Sequence, residues 1–180
     1  MSRRSQFHAL ALPHLRSVYR LARQMAGPDR ADDLTQETFL KAWAHFQRFD
    51  PSTNCRAWLY RILHNTWISD WRKTRLELPV ADVDEVVAEP SYDWEHERLG
   101  TVLSTDVQWA LDQLPDTHRF AVLLADVEEL TYQEIAHAMQ CPIGTVMSRI
   151  NRGRRMLRRL LQERRDAGTA PALRIVARER

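Results

Sequence analysis

Apolar residues recur along this chain at intervals of three and four, and no stretch alternates convincingly with the period of two that a half-buried strand requires. From about Gln6 to Met25 the rhythm runs through Leu10, Leu12, Leu15, Val18, Tyr19, Leu21, Ala22 and Met25. It predicts one amphipathic helix, closed by Gly27-Pro28. A second helix is predicted from near Asp29 through Leu34, Phe39, Leu40, Trp43 and Phe46. The turn formers in Phe49-Asp50-Pro51-Ser52-Thr53-Asn54 then separate it from a third long helix, about Cys55 to Arg75. Three helices of this length make one compact bundle.

The pattern changes after that bundle. Residues 77–104 lose their periodicity and carry Pro79 and Pro90, which predicts a flexible linker with a short helix around Trp94 to Leu103. A second helical unit is predicted over 105–165, broken at Leu114-Pro115 and again at Cys141-Pro142. Gly168 and Pro171 mark 166–180 as a disordered tail. The expected fold is all-α: two small helical domains, 1–76 and 105–165, joined by the 77–104 linker.

Charge sharpens this division. The formal net charge of +2 conceals a segregated chain. From Glu77 to Asp112 ten acids face the single base Arg98, whereas Arg149, Arg152, Arg154, Arg155, Arg158 and Arg159 follow one another with no acid before Glu163. A polyanion partner is therefore expected at the C-terminal unit, with a solvated spacer between the units.

The segment from Leu130 to Ile150 says what that polyanion is. Thr131 stands at an N-cap position with Glu134 three residues later, a capping box. Pro142 and Gly144 interrupt the helical pattern, and Thr145 is expected to cap the next helix. Two short helices and a tight turn form the helix-turn-helix plan, whose second helix enters the DNA major groove. On a helical wheel Val146, Ile150, Gly153, Leu157, Leu160 and Leu161 share one face, expected to pack on the helix from Tyr132 to Met139. Gly153 costs helix stability but allows close packing. Met147, Ser148, Asn151, Arg152 and Arg155 share the other face, and these types suit base edges. Arg158 and Arg159 are placed for phosphates, which hold register without reading sequence. The competing reading is an amphipathic helix with a solvated arginine face.

The helix from Cys55 to Arg75 carries two stripes. Trp58, Leu59, Ile62 and Leu63 form a core face. Tyr60, His64, Trp67 and Trp71 form a second, flanked by Arg56, Arg61, Arg72, Lys73 and Arg75. Flat faces interleaved with guanidinium groups suit unpaired bases, each stack contributing roughly 1–3 kcal/mol. The alternative is that Trp67 and Trp71 cover a second seam of the bundle.

Other chemistries find little support. Asp33 and Glu37 share a helix face, but no nucleophile or further ligand joins them at useful spacing, so an enzyme is not expected. Acids at a helix start, Asp32, Asp33 and Glu37 among them, complement its dipole. Cys55 and Cys141 are too far apart in sequence to indicate a disulfide framework, and His137 with Cys141 supplies two potential zinc ligands where a structural site needs four. No metal or cofactor is expected. No apolar run is long enough to span a bilayer and no signal-peptide core is present, which places the protein in the cytoplasm.

Two segments together resemble the bacterial sigma factors of the extracytoplasmic-function type. Asp32-Asp33-Leu34-Thr35-Gln36-Glu37-Thr38-Phe39-Leu40-Lys41-Ala42-Trp43, with Arg56-Ala57-Trp58-Leu59-Tyr60-Arg61-Ile62, is similar to region 2 of that family. Leu114-Pro115, Leu130-Thr131-Tyr132-Gln133-Glu134-Ile135-Ala136 and Pro142-Ile143-Gly144-Thr145-Val146-Met147-Ser148-Arg149 are similar to region 4. The resemblance implies a non-catalytic subunit that binds core RNA polymerase and directs it to promoters. It implies a polymerase-facing helix with Asp33, Gln36, Glu37, Leu40 and Lys41. It implies that Asn54, Arg56, Tyr60, Arg61, His64, Asn65, Trp67, Trp71 and Arg72 hold the melted −10 element. By the same likeness Thr145, Met147, Ser148, Arg149, Asn151, Arg152 and Arg155 read the −35 element as duplex. An anti-sigma partner is implied, and the Pro142–Ser148 run with Trp67-Ile68 looks most like the oxidative-stress branch. Two rivals are a conventional helix-turn-helix regulator with an N-terminal sensing bundle, and a magnesium-dependent DNA-processing enzyme using Asp32, Asp33 and Glu37.

Overall fold

The computed structural model describes residues 2–77 and 105–169, with side chains described over 2–69 and 105–166. The short helix expected around Trp94 to Leu103 lies outside the described residues, as does the tail beyond 169. Every regular element among the described residues is helical.

The first module opens with α1 (Arg3–Leu10), capped by Ser2, whose Oγ accepts from the Ser5 N–H at 3.2 Å. The single helix expected from Gln6 to Met25 is in fact two, α1 and α2 (Leu15–Ala26), with a 3₁₀ turn over Leu12–His14 between them. Pro13 is the cause: its ring removes a backbone donor and cannot sit inside a continuous helix. The break turns Leu12 and Leu15 outward, so both are exposed although they keep the apolar rhythm. Val18, Leu21, Ala22 and Met25 remain buried on α2. Gly27 ends α2 and begins α3 (Pro28–His45), with φ +79°, a backbone region that glycine enters without a Cβ penalty.

α3 buries Ala31, Leu34, Thr35, Thr38 and Ala42. The two threonine hydroxyls donate to the carbonyls of Ala31 (2.6 Å) and Leu34 (2.7 Å), so neither goes unsatisfied in the core. Past the loop, α4 (Cys55–Glu77) lays Ala57, Trp58, Leu59 and Leu63 into the same core. Phe7 joins α1 to the bundle through edge contacts with Trp43 (5.2 Å between centroids) and Phe46 (5.1 Å). Phe49 meets Trp58 at 4.8 Å.

The second module contains α5 (Thr105–Asp112), α6 (Asp116–Val122), α7 (Tyr132–Met139) and α8 (Ile143–Thr169). Phe120, Leu123, Leu124, Ile135, Val146 and Ile150 fill its core, each essentially inaccessible. α8 packs on α6 as well as on the expected α7, and Gly153 permits the closest approach: a Cβ there would lie 2.6 Å from Val122 Cγ2. α8 also outlasts its expected end, so residues 166–169, assigned to a disordered tail, are helical. Near that end Arg164 pairs with Asp106 at 2.5 Å and lies over the Trp109 ring, tying α8 back to α5.

After α6 the chain winds into a π-helical turn, Leu123–Val127, in which the Glu128 N–H donates to the Leu123 carbonyl at 3.0 Å. Glu129 follows with φ +52°, uncommon for a residue with a side chain. The widened turn and this left-handed residue leave Glu129 exposed and Glu128 buried.

Candidate nucleic-acid interface

The turn between α7 and α8 is built as the sequence predicts at its start and differently at its end. Thr131 Oγ1 accepts from the Glu134 N–H (3.3 Å), and Glu134 Oε2 accepts from the Thr131 N–H (2.8 Å), completing the capping box. Gln140 takes a left-handed conformation, and its N–H and that of Cys141 close on carbonyls of α7. α8 then starts at Ile143, two residues before the expected cap. Thr145 lies inside its first turn, where its N–H donates to the Pro142 carbonyl at 2.9 Å.

The wheel assignment on α8 holds where it matters for duplex reading. Val146 and Ile150 are fully buried; Met147, Ser148, Asn151, Arg152 and Arg155 are exposed on the opposite face. Arg149 and Thr145 lie at its margin, half-buried, with the Arg149 guanidinium 3.5 Å from Cys141 Sγ. The arginine run is not uniform. Arg154 is taken by the Asp126 carboxylate, whereas Arg158 is exposed. Arg159 is also exposed, beside Glu163 at 3.5 Å. Nearby, burial first and then the Arg149 and Arg152 charges hold His118 below its ordinary pKa.

The expected polymerase-facing side of α3 is open. Asp33 and Gln36 are exposed, and Leu40, at 61 % exposure, is the most exposed of the large apolar side chains described. Glu37 and Lys41 form an i,i+4 ion pair at 2.7 Å, both partly solvated, and Lys41 Nζ also donates to Thr66 Oγ1 at 3.2 Å.

The stripe expected to meet unpaired bases is, in contrast, largely covered by the second module. Asn54 caps α4, its Oδ1 accepting from the N–H groups of Arg56 (3.0 Å) and Ala57 (3.3 Å), while its amide donates to Glu134 Oε1 at 2.5 Å. The Arg56 guanidinium donates to the Glu128 carbonyl at 2.7 Å, and Arg61 to His137 Nε2 at 3.1 Å. Tyr60 is wholly buried, and its hydroxyl donates to Glu128 Oε2. Burial first, and the Glu128 charge second, push its pKa upward. The His64 ring stacks on Phe120 with centroids 4.5 Å apart. Neither His64 nitrogen has a hydrogen-bond partner, and burial, then the Arg149 charge, lowers its pKa to about 4. Asn65 is exposed and Trp67 half-buried against the core; the Trp71 and Arg72 side chains lie outside the described residues.

Glu128, Arg20 and Arg119 are the contact residues that the sequence pattern does not reveal. Glu128 Oε1 accepts from Arg20 Nε (3.1 Å) and Nη2 (2.5 Å), and the Arg119 guanidinium donates to the Met25 carbonyl at 3.2 Å.

Comparison with known proteins decides the family. Residues 10–77 match sigma-70 region 2 and residues 105–157 match sigma-70 region 4. The chain is 38 % identical over 152 residues to the ECF RNA polymerase sigma factor EcfG of Rhodopseudomonas palustris, covering 84 % of this chain and 81 % of that one. The chain belongs to the extracytoplasmic-function sigma factors. It is also 41 % identical over 156 residues to ECF sigma factor SigE of Mycolicibacterium smegmatis, where the match covers 83 % of this chain but 59 % of the longer relative. Among solved structures this sigma factor is similar to RpoE of Bartonella quintana, determined with the anti-sigma factor NepR. The TM-score is 0.68 at 33 % identity, over 88 % of this chain and 96 % of that one. It is likewise similar to CnrH, determined with the cytosolic domain of CnrY (TM-score 0.64, 26 % identity, covering 89 % and 90 % of the two chains). These likenesses do not favour the conventional regulator, and they do not single out an oxidative-stress branch. No helix among the described residues is long and apolar enough to cross a membrane.

Proposed function

We propose that this sigma factor binds core RNA polymerase through the α3 face of Asp33, Gln36, Glu37, Leu40 and Lys41, and reads two promoter elements with its two modules. Residues 105–165 take the −35 element as duplex. Met147, Ser148, Asn151, Arg152 and Arg155 are directed at base edges, and Arg158 and Arg159 at phosphates. Residues 1–76 hold the unwound −10 strand on α4, where arginines track the backbone and aromatic faces receive bases. The chain acts in the cytoplasm without chemistry of its own. An anti-sigma protein is its expected regulator, as for the Bartonella quintana relative determined with such a partner.

One observation carries this reading: on α8 the groups suited to base edges are exposed together, while Val146 and Ile150 at the intervening positions are completely buried. A solvated arginine face does not require Met147, Ser148 and Asn151 among its members. The test is transcription in vitro with bare core polymerase and fragments of the source genome. Start-site selection that depends on added sigma factor is expected. Tight duplex binding without polymerase, and no gain in initiation, would instead support a conventional regulator.

A further inference from the structure

The exposed face of α8 changes character along its length. Its stripe at four-residue spacing runs Ile143, Met147, Asn151 and Arg155, apolar in its first two members and polar in the last two. Ile143 and Met147 are 41 % and 45 % exposed, on a helix whose other large apolar side chains are buried or half-buried. One exposed apolar residue is ordinary. Two in register, one turn apart, stand at the end of a reading helix whose N-terminal residues meet base edges.

Gly144 lies between them and is exposed. A Cβ there would meet nothing within 4 Å, so no packing inside the protein calls for a glycine. Glycine weakens a helix relative to alanine, and one use for it is close approach of the backbone to a bound molecule. Pro142, exposed just ahead, adds to the same apolar edge. What such an edge recognises in a duplex is narrow. The major groove presents donors and acceptors, which apolar groups cannot satisfy, and one apolar group, the thymine 5-methyl. The surrounding charge fits a phosphate-lined groove: from Cys141 to Arg155 the chain has no acid, and Arg152 and Arg155 are exposed beside the apolar edge.

We propose that Ile143 and Met147 read thymine methyl groups in the −35 element, that Gly144 lets the backbone come close there, and that Asn151 and Arg152 take the polar base edges beyond. This rests on the duplex-reading role proposed for α8. Four residues of helix rise about 6 Å, against about 3.4 Å between successive base pairs. The two thymines therefore lie one or two base steps apart.

The full chain bound to core polymerase tests this on a promoter found by start-site mapping. Each thymine of the −35 element is replaced in turn by deoxyuridine, which keeps base pairing and removes only the methyl. Binding should weaken about fourfold at each of two positions, the effect of withdrawing one methyl from an apolar contact. Ile143→Ala should abolish the sensitivity at one position and Met147→Ala at the other; both side chains are exposed, so both variants should fold. Cytosine placed at a sensitive position should bind about fourfold better when 5-methylated, since the same contact is regained. Gly144→Ala should bind more weakly although alanine favours the helix. A preferred −35 element without thymine overturns the proposal, as do unchanged binding after every deoxyuridine, methyl sensitivity that survives in both alanine variants, and an unaltered affinity in Gly144→Ala. Absence of any base preference in the −35 element would sink the duplex-reading role of α8 itself, and this assignment with it.

Discussion

Gly153 on α8 faces Val122 on α6 with no room for a methyl group: a Cβ would stand 2.6 Å from Val122 Cγ2 and 3.4 Å from the His118 carbonyl. Alanine favours a helix by about 1 kcal/mol over glycine, yet overpacking costs roughly 1–3 kcal/mol, and valine is too stiff to yield. Gly153→Ala should therefore lower the thermal midpoint. Adding Val122→Ala should recover part of the loss, in a double-mutant cycle read by urea unfolding. Additive losses would show that the two side chains do not compete for that space.

The proposed roles of base reading and phosphate holding fall to different residues of α8. Arg152→Ala should relax preference at one −35 position, costing roughly 1–3 kcal/mol there. Arg158→Ala should weaken binding to all sequences alike and reduce the salt dependence by about one counterion. Both effects are measurable by competition binding of the polymerase complex to a panel of single-base promoter variants at several salt concentrations. Unchanged preference in the first variant refutes the assigned contact.

Leu40 contributes little to the core of its own module, being 61 % exposed. Leu40→Ser should leave unfolding within about 0.5 kcal/mol of the wild type, as for surface positions generally. It should nevertheless weaken association with core polymerase several-fold in a direct titration. Equal affinity would remove α3 from the proposed interface.

The packing of the second module on α4, the closed form, should depend on pH through His64. In the closed form burial and the Arg149 charge lower its pKa to about 4; exposed to water it returns to about 6.5. The closed form therefore holds fewer protons, and acid favours opening: the penalty begins as pH falls below about 6.5 and levels off below about 4. Between pH 7.5 and 5.5 the closed-to-open ratio should fall about tenfold from this residue. Glu134, which burial would raise but which the Asn54 and Thr131 donors hold below its ordinary pKa, adds a loss of the same sign at lower pH. Energy transfer between a dye on each module reports the transition, and His64→Phe, keeping the ring against Phe120, should remove the higher step. A profile unmoved by that substitution would exclude His64 as its source.

Helical class, two modules, capping box and the exposed face of α8 were legible in the sequence because each follows from local spacing. Pro13 marks the break between α1 and α2, but the apolar rhythm continues on either side of it, so the spacing reads as one helix. The start of α8 at Ile143 rather than Thr145 is a matter of how Pro142 and Gln140 shape the turn. Arg154 reads as part of the acid-free arginine run because its partner, Asp126, is distant in sequence. Glu128 was the least visible. An acid beside a second acid looks like surface, and only a π turn meeting Arg20, Arg56 and Tyr60 from the other module makes it the most buried charge described.

The reach of α8 back to α5 has a mechanical corollary. Arg164, seven residues past the segment matched to region 4, grips Asp106 and covers Trp109 at the point where the chain enters the second module. A pull arriving at Thr105 is thus delivered to the far end of the helix proposed to enter the major groove. The module is expected to answer tension as a closed ring, so that the proposed grip on duplex DNA turns as one piece with the chain that leads into it.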